Sequence, residues 1–378
     1  PAPQEDIALT AFENRSASAS RSTFRASARK RLAPAAALTA LALGLSACSV
    51  ADQGGGEKNG AGEGGKGSKG TVTIMTHDSF ALPDELVQKF EDESGYTLKT
   101  TAPGDAGAVV NQLLMAKDDP TVDGVYGVEN HSTHRLIEED AVAEFTPEDL
   151  PDSAEDEMVD GRMTPIDQGQ VCVNVDPAWF EEHGIEAPTS IDQLTEPEYA
   201  KRLVVTSPVS SSPGLAFLAA TVEKEGEDGW QDWWRQLLEN EAKVAESWSD
   251  AYNSDFSAGE GEGDYPLVLS YSSSPAFLPE TEVIEDSCTP QVEYAGVVEG
   301  AQNPEGAEAF IEFMLSEDVQ TAVPEALYMY PIDESVELPT EWEENAPLVE
   351  DPIEPDSQEV AENREQWLKD WNALHEGA

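Results

Sequence analysis

The chain has 378 residues, 39% of them hydrophobic, with 76 acidic and 21 basic residues giving a formal net charge of −55. That hydrophobic share can fill a substantial core in one large domain or two medium ones. The charge argues against functions that need a cationic face, such as nucleic-acid binding or adhesion to anionic lipid headgroups. Six basic and three acidic residues fall in 1–47, so the remainder carries about −58, spread along its length. A plain solvated acidic face and adaptation to salty surroundings both account for such a surface.

The N-terminal segment has the order of a targeting device. Arg21, Arg25, Arg29, Lys30 and Arg31 form a positive region, 32–45 is rich in Ala and Leu, and Leu45-Ser46-Ala47-Cys48 follows. The apolar stretch is short for a membrane-spanning helix and fits a secretion signal. Residues 1–20 lack an initiator Met and do not look like a signal, which suggests upstream sequence or a misassigned start. The order resembles a bacterial lipoprotein signal. That resemblance implies a signal region at 1–47, cleavage before Cys48, lipidation of the Cys48 sulfur and a membrane anchor. A plain signal peptide with an incidental cysteine is the other reading. Residues 48–70 are Gly-rich and polar, so they are expected to be a flexible tether.

The body begins at 71. A strand is expected at 71–75, a helix at 83–93 with Leu86, Val87 and Phe90 at helical spacing, and a strand at 96–101. A helix at 106–117 and a strand at 124–128 complete a β-α-β-α-β run, which argues for an α/β domain with a largely parallel sheet. Residues 145–162 are acidic and poorly periodic, a loop. Strands follow at 171–175 and 203–205, helices at 213–224 and 230–239, and strands at 265–271 and 292–298. Helices at 304–316 and 357–374 close the chain. Two β/α blocks joined by strand segments suggest two lobes with a cleft between them: lobe 1 at about 71–165 and 285–378, lobe 2 at about 170–280. Clefts of this kind are common small-ligand sites.

Catalytic signatures are lacking. None of the five histidines lies in a metalloprotease helix motif, and neither a Gly-x-Ser-x-Gly elbow nor a phosphate loop occurs. His131 and His134 read as an exposed pair, with no third metal ligand near them. Cys172 and Cys288 are left over and lack metal-site spacing; in an oxidising compartment they form a disulfide or stay as buried thiols.

Binding features are more evident. Ser210-Ser211-Ser212-Pro213-Gly214 precedes a helical run, where free N–H groups and hydroxyls cap a helix or hold an anion. Tyr271-Ser272-Ser273-Ser274-Pro275-Ala276-Phe277 repeats that logic after a strand and adds two rings. Trp248, Tyr271, Phe277 and Tyr328 lie beside turns or strand ends, and Asp78, Asp105 and Asp167 occupy comparable junctions. Aromatic faces and carboxylates together suit a flat cationic ligand; core packing with exposed acids accounts for the same residues.

Several ordered stretches resemble the thiamine-binding proteins of bacterial ABC importers, in the type II periplasmic solute-binding group. They are Thr76-His77-Asp78-Ser79-Phe80-Ala81, Ser210-Ser211-Ser212-Pro213-Gly214-Leu215, Trp248-Ser249-Asp250-Ala251-Tyr252, the strand and serine loop 267–276, and Tyr328-Met329-Tyr330-Pro331. The resemblance implies a two-lobed α/β fold with the ligand cleft between the lobes, and capture of thiamine or a thiamine phosphate without chemistry or a cofactor. The family's contacts would fall on Asp105, Ala106, Ser211, Ser212, Trp248, and Tyr271 through Pro275. His77, Phe277 and Tyr328 would stack on the ligand rings, where the family commonly has Tyr, Tyr and Trp; Ala106 stands where it has Gly. Asp78 and Asp167 would face the positive ring. The partners implied are an ABC permease with its ATPase, for a monomeric binding protein. A binder of ferric iron or a polyamine, a secreted hydrolase and an adhesion module are the rival readings.

Overall fold

A computed structural model describes residues 68–378; the signal region, Cys48 and nearly all of the tether lie outside the described residues. Among the described residues no helix is long and apolar enough to cross a membrane.

The first β/α block forms where the periodicities place it. β1 (Gly70–Met75) turns Val72 and Ile74 into the core, and the helix Asp84–Ser94 buries Phe90 and ends at Gly95, whose φ of 79° suits glycine. β2 (Tyr96–Thr101), the helix Ala106–Ala116 and β3 (Gly124–Glu129) follow. β1 pairs in parallel with both β2 and β3, as helical crossovers require.

The middle of the chain differs from the expected short strands. β4 runs from Met163 to Val175 and β8 from Glu282 to Val297, each several residues longer than its apolar run. They pair antiparallel along most of their length, from Met163 opposite Gly296 to Val175 opposite Glu282. Polar residues inside them, including Asp167, Gln168, Gln291 and Glu293, hide both strands from a periodicity reading. β8 also pairs antiparallel with β3, so the expected parallel sheet holds in the flanks and fails in the centre.

The second block sits on the far side of these strands. β5 (Leu203–Thr206) and β7 (Leu267–Tyr271) are buried on both faces and read as continuous apolar runs. β6 (Lys243–Ala245) forms the edge, and the short β9 (Tyr330–Pro331) pairs with β4, giving the order β2-β1-β3-β8-β4-β7-β5-β6. The helix Ser212–Glu225 is buried nearly all round, and Gly214 packs so closely on the end of β5 that a Cβ would lie 2.5 Å from the Thr206 carbonyl oxygen. The C-terminal helix Ser357–Gly377 straddles the blocks: Trp371 packs edge-on against Trp234 at 5.6 Å, while Arg364 donates to Ser132. Short helices at Thr133–Glu138, Pro177–His183 and Glu317–Leu327 were not legible; the last contains Pro324, which reads as a helix breaker.

A disulfide joins Cys172 of β4 to Cys288 of β8 across 116 residues of chain. In the chain-entropy account, a loop of that length contributes about 3–5 kcal/mol by restricting the unfolded state. The paired change Cys172→Ser, Cys288→Ser should lower the melting temperature by on the order of 10 °C. An unchanged melting temperature in calorimetry would show that the cross-link adds nothing.

Candidate ligand-binding cleft

The inner ends of both blocks meet over the β4–β8 pair. His77 follows β1, and its imidazole lies against Gly127, where β3 is bulged and φ is 84°. A Cβ at residue 127 would come within 2.1 Å of the His77 ring, so glycine makes room for it. Asp105 caps the helix Ala106–Ala116: one carboxylate oxygen accepts from the Ala106 N–H at 2.6 Å and the other from the Trp248 N–H at 3.0 Å. The Gly107 N–H also donates to the Ser210 carbonyl at 3.0 Å. These bonds latch the first block to the second.

Trp248, Tyr252 and Tyr271 come from the second block, and Tyr328 from the end of the helix Glu317–Leu327. Trp248 stacks on Tyr252 at 5.1 Å and stands 6.0 Å from both Tyr271 and Tyr328. Its indole N–H donates to Ser270 at 2.9 Å, fixing the ring plane. Tyr328 is 38% exposed and has a left-handed φ of 62°, which a tyrosine adopts at a cost of about 1–2 kcal/mol. Ser273 donates to its carbonyl at 2.7 Å and helps hold it there.

The floor is acidic. Asp167 and Glu293 face each other across β4 and β8 as register partners. The Tyr126 hydroxyl lies 2.5 Å from Asp167 Oδ2 and 3.1 Å from Glu293 Oε2. One O–H cannot donate to both. Burial, with the Glu293 charge beside it, pushes the Asp167 carboxyl well above the usual carboxylate range. The two acids therefore compete for the one Tyr126 hydroxyl. Gln291 donates to the Tyr271 hydroxyl at 3.1 Å, extending the network to the aromatic wall.

Six of the residues expected from sequence line one cleft: His77, Asp105, Ser212, Trp248, Tyr271 and Tyr328. Ser79, Glu293, Leu327 and Met329 line it too and were missed. A lone Glu in the apolar strand end Val292–Val297 was the available signal for Glu293, and a lone Gly inside β3 the signal for the bulge under His77. Asp167 lies behind Tyr126, fully buried. The Asp78 side chain is exposed, and the Ala106 N–H is used by the Asp105 cap. Ser211 is buried beside the cleft with an unpartnered hydroxyl; Ser274 meets Ser270 at 3.0 Å, and Phe277 packs on Tyr328 at 4.4 Å from outside. Ser272 and Pro275 line a separate open groove of about 780 Å³, which carries acids such as Glu285 and Asp286 but no aromatic wall. His131 is buried and His134 exposed, so they do not form the expected exposed pair; burial pushes His131 down to about 4.

The space between the cleft walls is about 20 Å³, room for one water, against the ~300 Å³ or more of ordinary ligand sites. The walls must separate before a vitamin-sized molecule can enter.

The model for bacterial extracellular solute-binding proteins matches residues 119–351. The chain belongs to that family. Members capture a small solute outside the cytoplasm and work with an importer's permease and ATPase. The chain is 29% identical over 322 residues to the thiamine-binding periplasmic protein of Escherichia coli, covering 80% of this chain and 93% of that one. The thiamine-binding periplasmic protein of Salmonella typhimurium is 28% identical over 316 residues, with coverage of 80% and 93%. A solved periplasmic thiamin binding protein superposes with a TM-score of 0.69 at 26% identity, covering 81% of this chain and 96% of the other. The fold is the two-lobed type II periplasmic-binding-protein fold.

The acid pair predicts a pH-dependent stability. Because the native pKa of Asp167 is raised, the folded state keeps a proton that the unfolded chain releases once pH exceeds about 4. The native state binds more protons, so stability falls as pH rises from there toward the native pKa. Asp167→Asn removes that dependence. Its melting temperature should exceed the wild type's at pH 7–8, with the gap closing toward pH 4; a gap constant with pH would contradict the assignment.

Proposed function

We propose that this protein captures thiamine or a thiamine phosphate outside the cell and delivers it to an ABC permease. The observation that carries the reading is the cleft itself, where Trp248, Tyr271 and Tyr328 stand over a carboxylate floor with Asp105 and Glu293 and no Lys or Arg among the lining residues. Such a surface stabilises a flat cation through ring faces and charge together. Similarity to thiamine-binding relatives over four-fifths of the chain supports the same ligand. The buried Ser211 hydroxyl and the start of the helix Ser212–Glu225 suit a phosphate ester at one end.

In this reading the ligand contacts are His77, Asp105, Ser211, Ser212, Trp248, Tyr271 and Tyr328. Lobe 1 is about 71–165 with 285–378, and lobe 2 about 170–280, with the C-terminal helix lying across both. The lobes close by bending where β4 and β8 cross between them, as in other hinge closures. Cys48 carries a lipid, and the Gly-rich tether hangs the body from the membrane.

Calorimetry with thiamine, its monophosphate and its diphosphate tests the ligand. At least one should bind at micromolar Kd or tighter and raise the melting temperature by mass action. Trp248→Ala should weaken that binding by about 0.5–2 kcal/mol, roughly two- to thirtyfold in Kd. Absence of binding by all three, with stabilisation by ferric iron or a polyamine instead, would replace the reading.

A further inference from the structure

His77 and Glu293 meet at the cleft floor in a way that neither core packing nor the aromatic wall explains. Nε2 of His77 lies 3.4 Å from Glu293 Oε2, close enough for an ion pair, but its geometry leaves Nε2 without a hydrogen-bond partner. The imidazole is buried and lines the cleft, as does Glu293. Its other nitrogen, Nδ1, is 2.8 Å from the Ser79 hydroxyl, which can accept from an imidazolium or donate to a neutral ring. Ser79 therefore supports both protonation states without rearrangement.

The groups around the imidazole are acidic or neutral. Glu293 faces it from β8, Tyr126 from β3 at 5.6 Å between rings, Asp105 from the helix cap, and Asp78 and Phe80 from its own loop. Asp167 lies behind Tyr126, Tyr271 closes the network from β7 through Gln291, and Glu129 stands beside Glu293 on the register of β3. Arg364, the cation that faces Glu129, does not line the cleft.

We propose that Glu293 is the counter-ion for the cationic ring of the captured solute, and that the His77 imidazolium holds this place in the empty cleft, so that solute and proton exchange for one another. The proposal rests on the thiamine reading. Its balance is simple: the solute brings one positive charge to Glu293, and His77 releases one proton to solvent. No bond within the solute changes. Burial alone would lower the His77 pKa, but the charge of Glu293, with Asp105 and Asp78, more than offsets it and raises it above its ordinary value. Affinity should weaken as pH falls through the His77 pKa and level off above it, because protonated His77 competes with the solute.

Calorimetry of thiamine binding in two buffers of different ionisation enthalpy, from pH 5.5 to 8.5, reads the exchange directly. The wild type should release up to about one proton per thiamine, with affinity changing by about tenfold per pH unit on the acid side relative to His77→Gln. That comparison cancels the ligand's own titration. His77→Gln should release no proton on binding thiamine, at whatever affinity it retains, and Glu293→Gln should weaken thiamine at least about tenfold while leaving thiochrome, a neutral analogue, little affected. Melting curves establish that both variants fold, and His77→Gln keeps the test decisive if Glu293→Gln does not. Equal thiamine affinity in wild type and Glu293→Gln, or the same proton count in wild type and His77→Gln, would overturn the exchange while the thiamine reading stands. Failure of the wild type to bind thiamine would overturn both.

Discussion

The pairing of β4 with β8 sets Asp167 opposite Glu293, and the rest of the site is arranged around that juxtaposition. Like charges directly across neighbouring strands oppose pairing, and two buried carboxylates cost more still when both are ionised. The Tyr126 hydroxyl is wedged between the two acids, and burial beside Glu293 raises the Asp167 pKa, which favours its neutral form. Glu293 also faces His77 and the cleft. The same two strands are cross-linked through Cys172 and Cys288, which opposes slippage of the strands that carry the acid pair.

The two blocks meet over this floor through few direct bonds. Asp105 shares its carboxylate between the cap at Ala106 and the Trp248 N–H, so one side chain fixes both a helix start and the position of the aromatic wall. The cleft holds about 20 Å³, and these latches join the two blocks beside it. An opening motion thus exposes Glu293 and the rings together, which couples access to recognition.

Much of the flanking architecture was legible because it is local. Val72 and Ile74 alternate along β1, Val109, Val110 and Leu113 share a helical face, and β5 and β7 are continuous apolar runs. Ser-Pro helix starts at 212 and 274 and the aromatics at strand ends also follow from short-range rules, and His77, Asp105, Ser212, Trp248, Tyr271 and Tyr328 do converge. Phe277 and Asp78, chosen by the same rules, point elsewhere, because a turn or strand end does not specify which side chain faces a partner element.

The charge, the two β/α blocks, the serine turns and the aromatic inventory are each written in neighbouring residues. Long-range packing is what makes β4 and β8 long enough to bridge the blocks, sets Asp167 opposite Glu293, and rests His77 on Gly127. Those outcomes depend on register between strands far apart in the chain. The polar residues that make the floor are the same ones that blur the period of two by which strands are recognised.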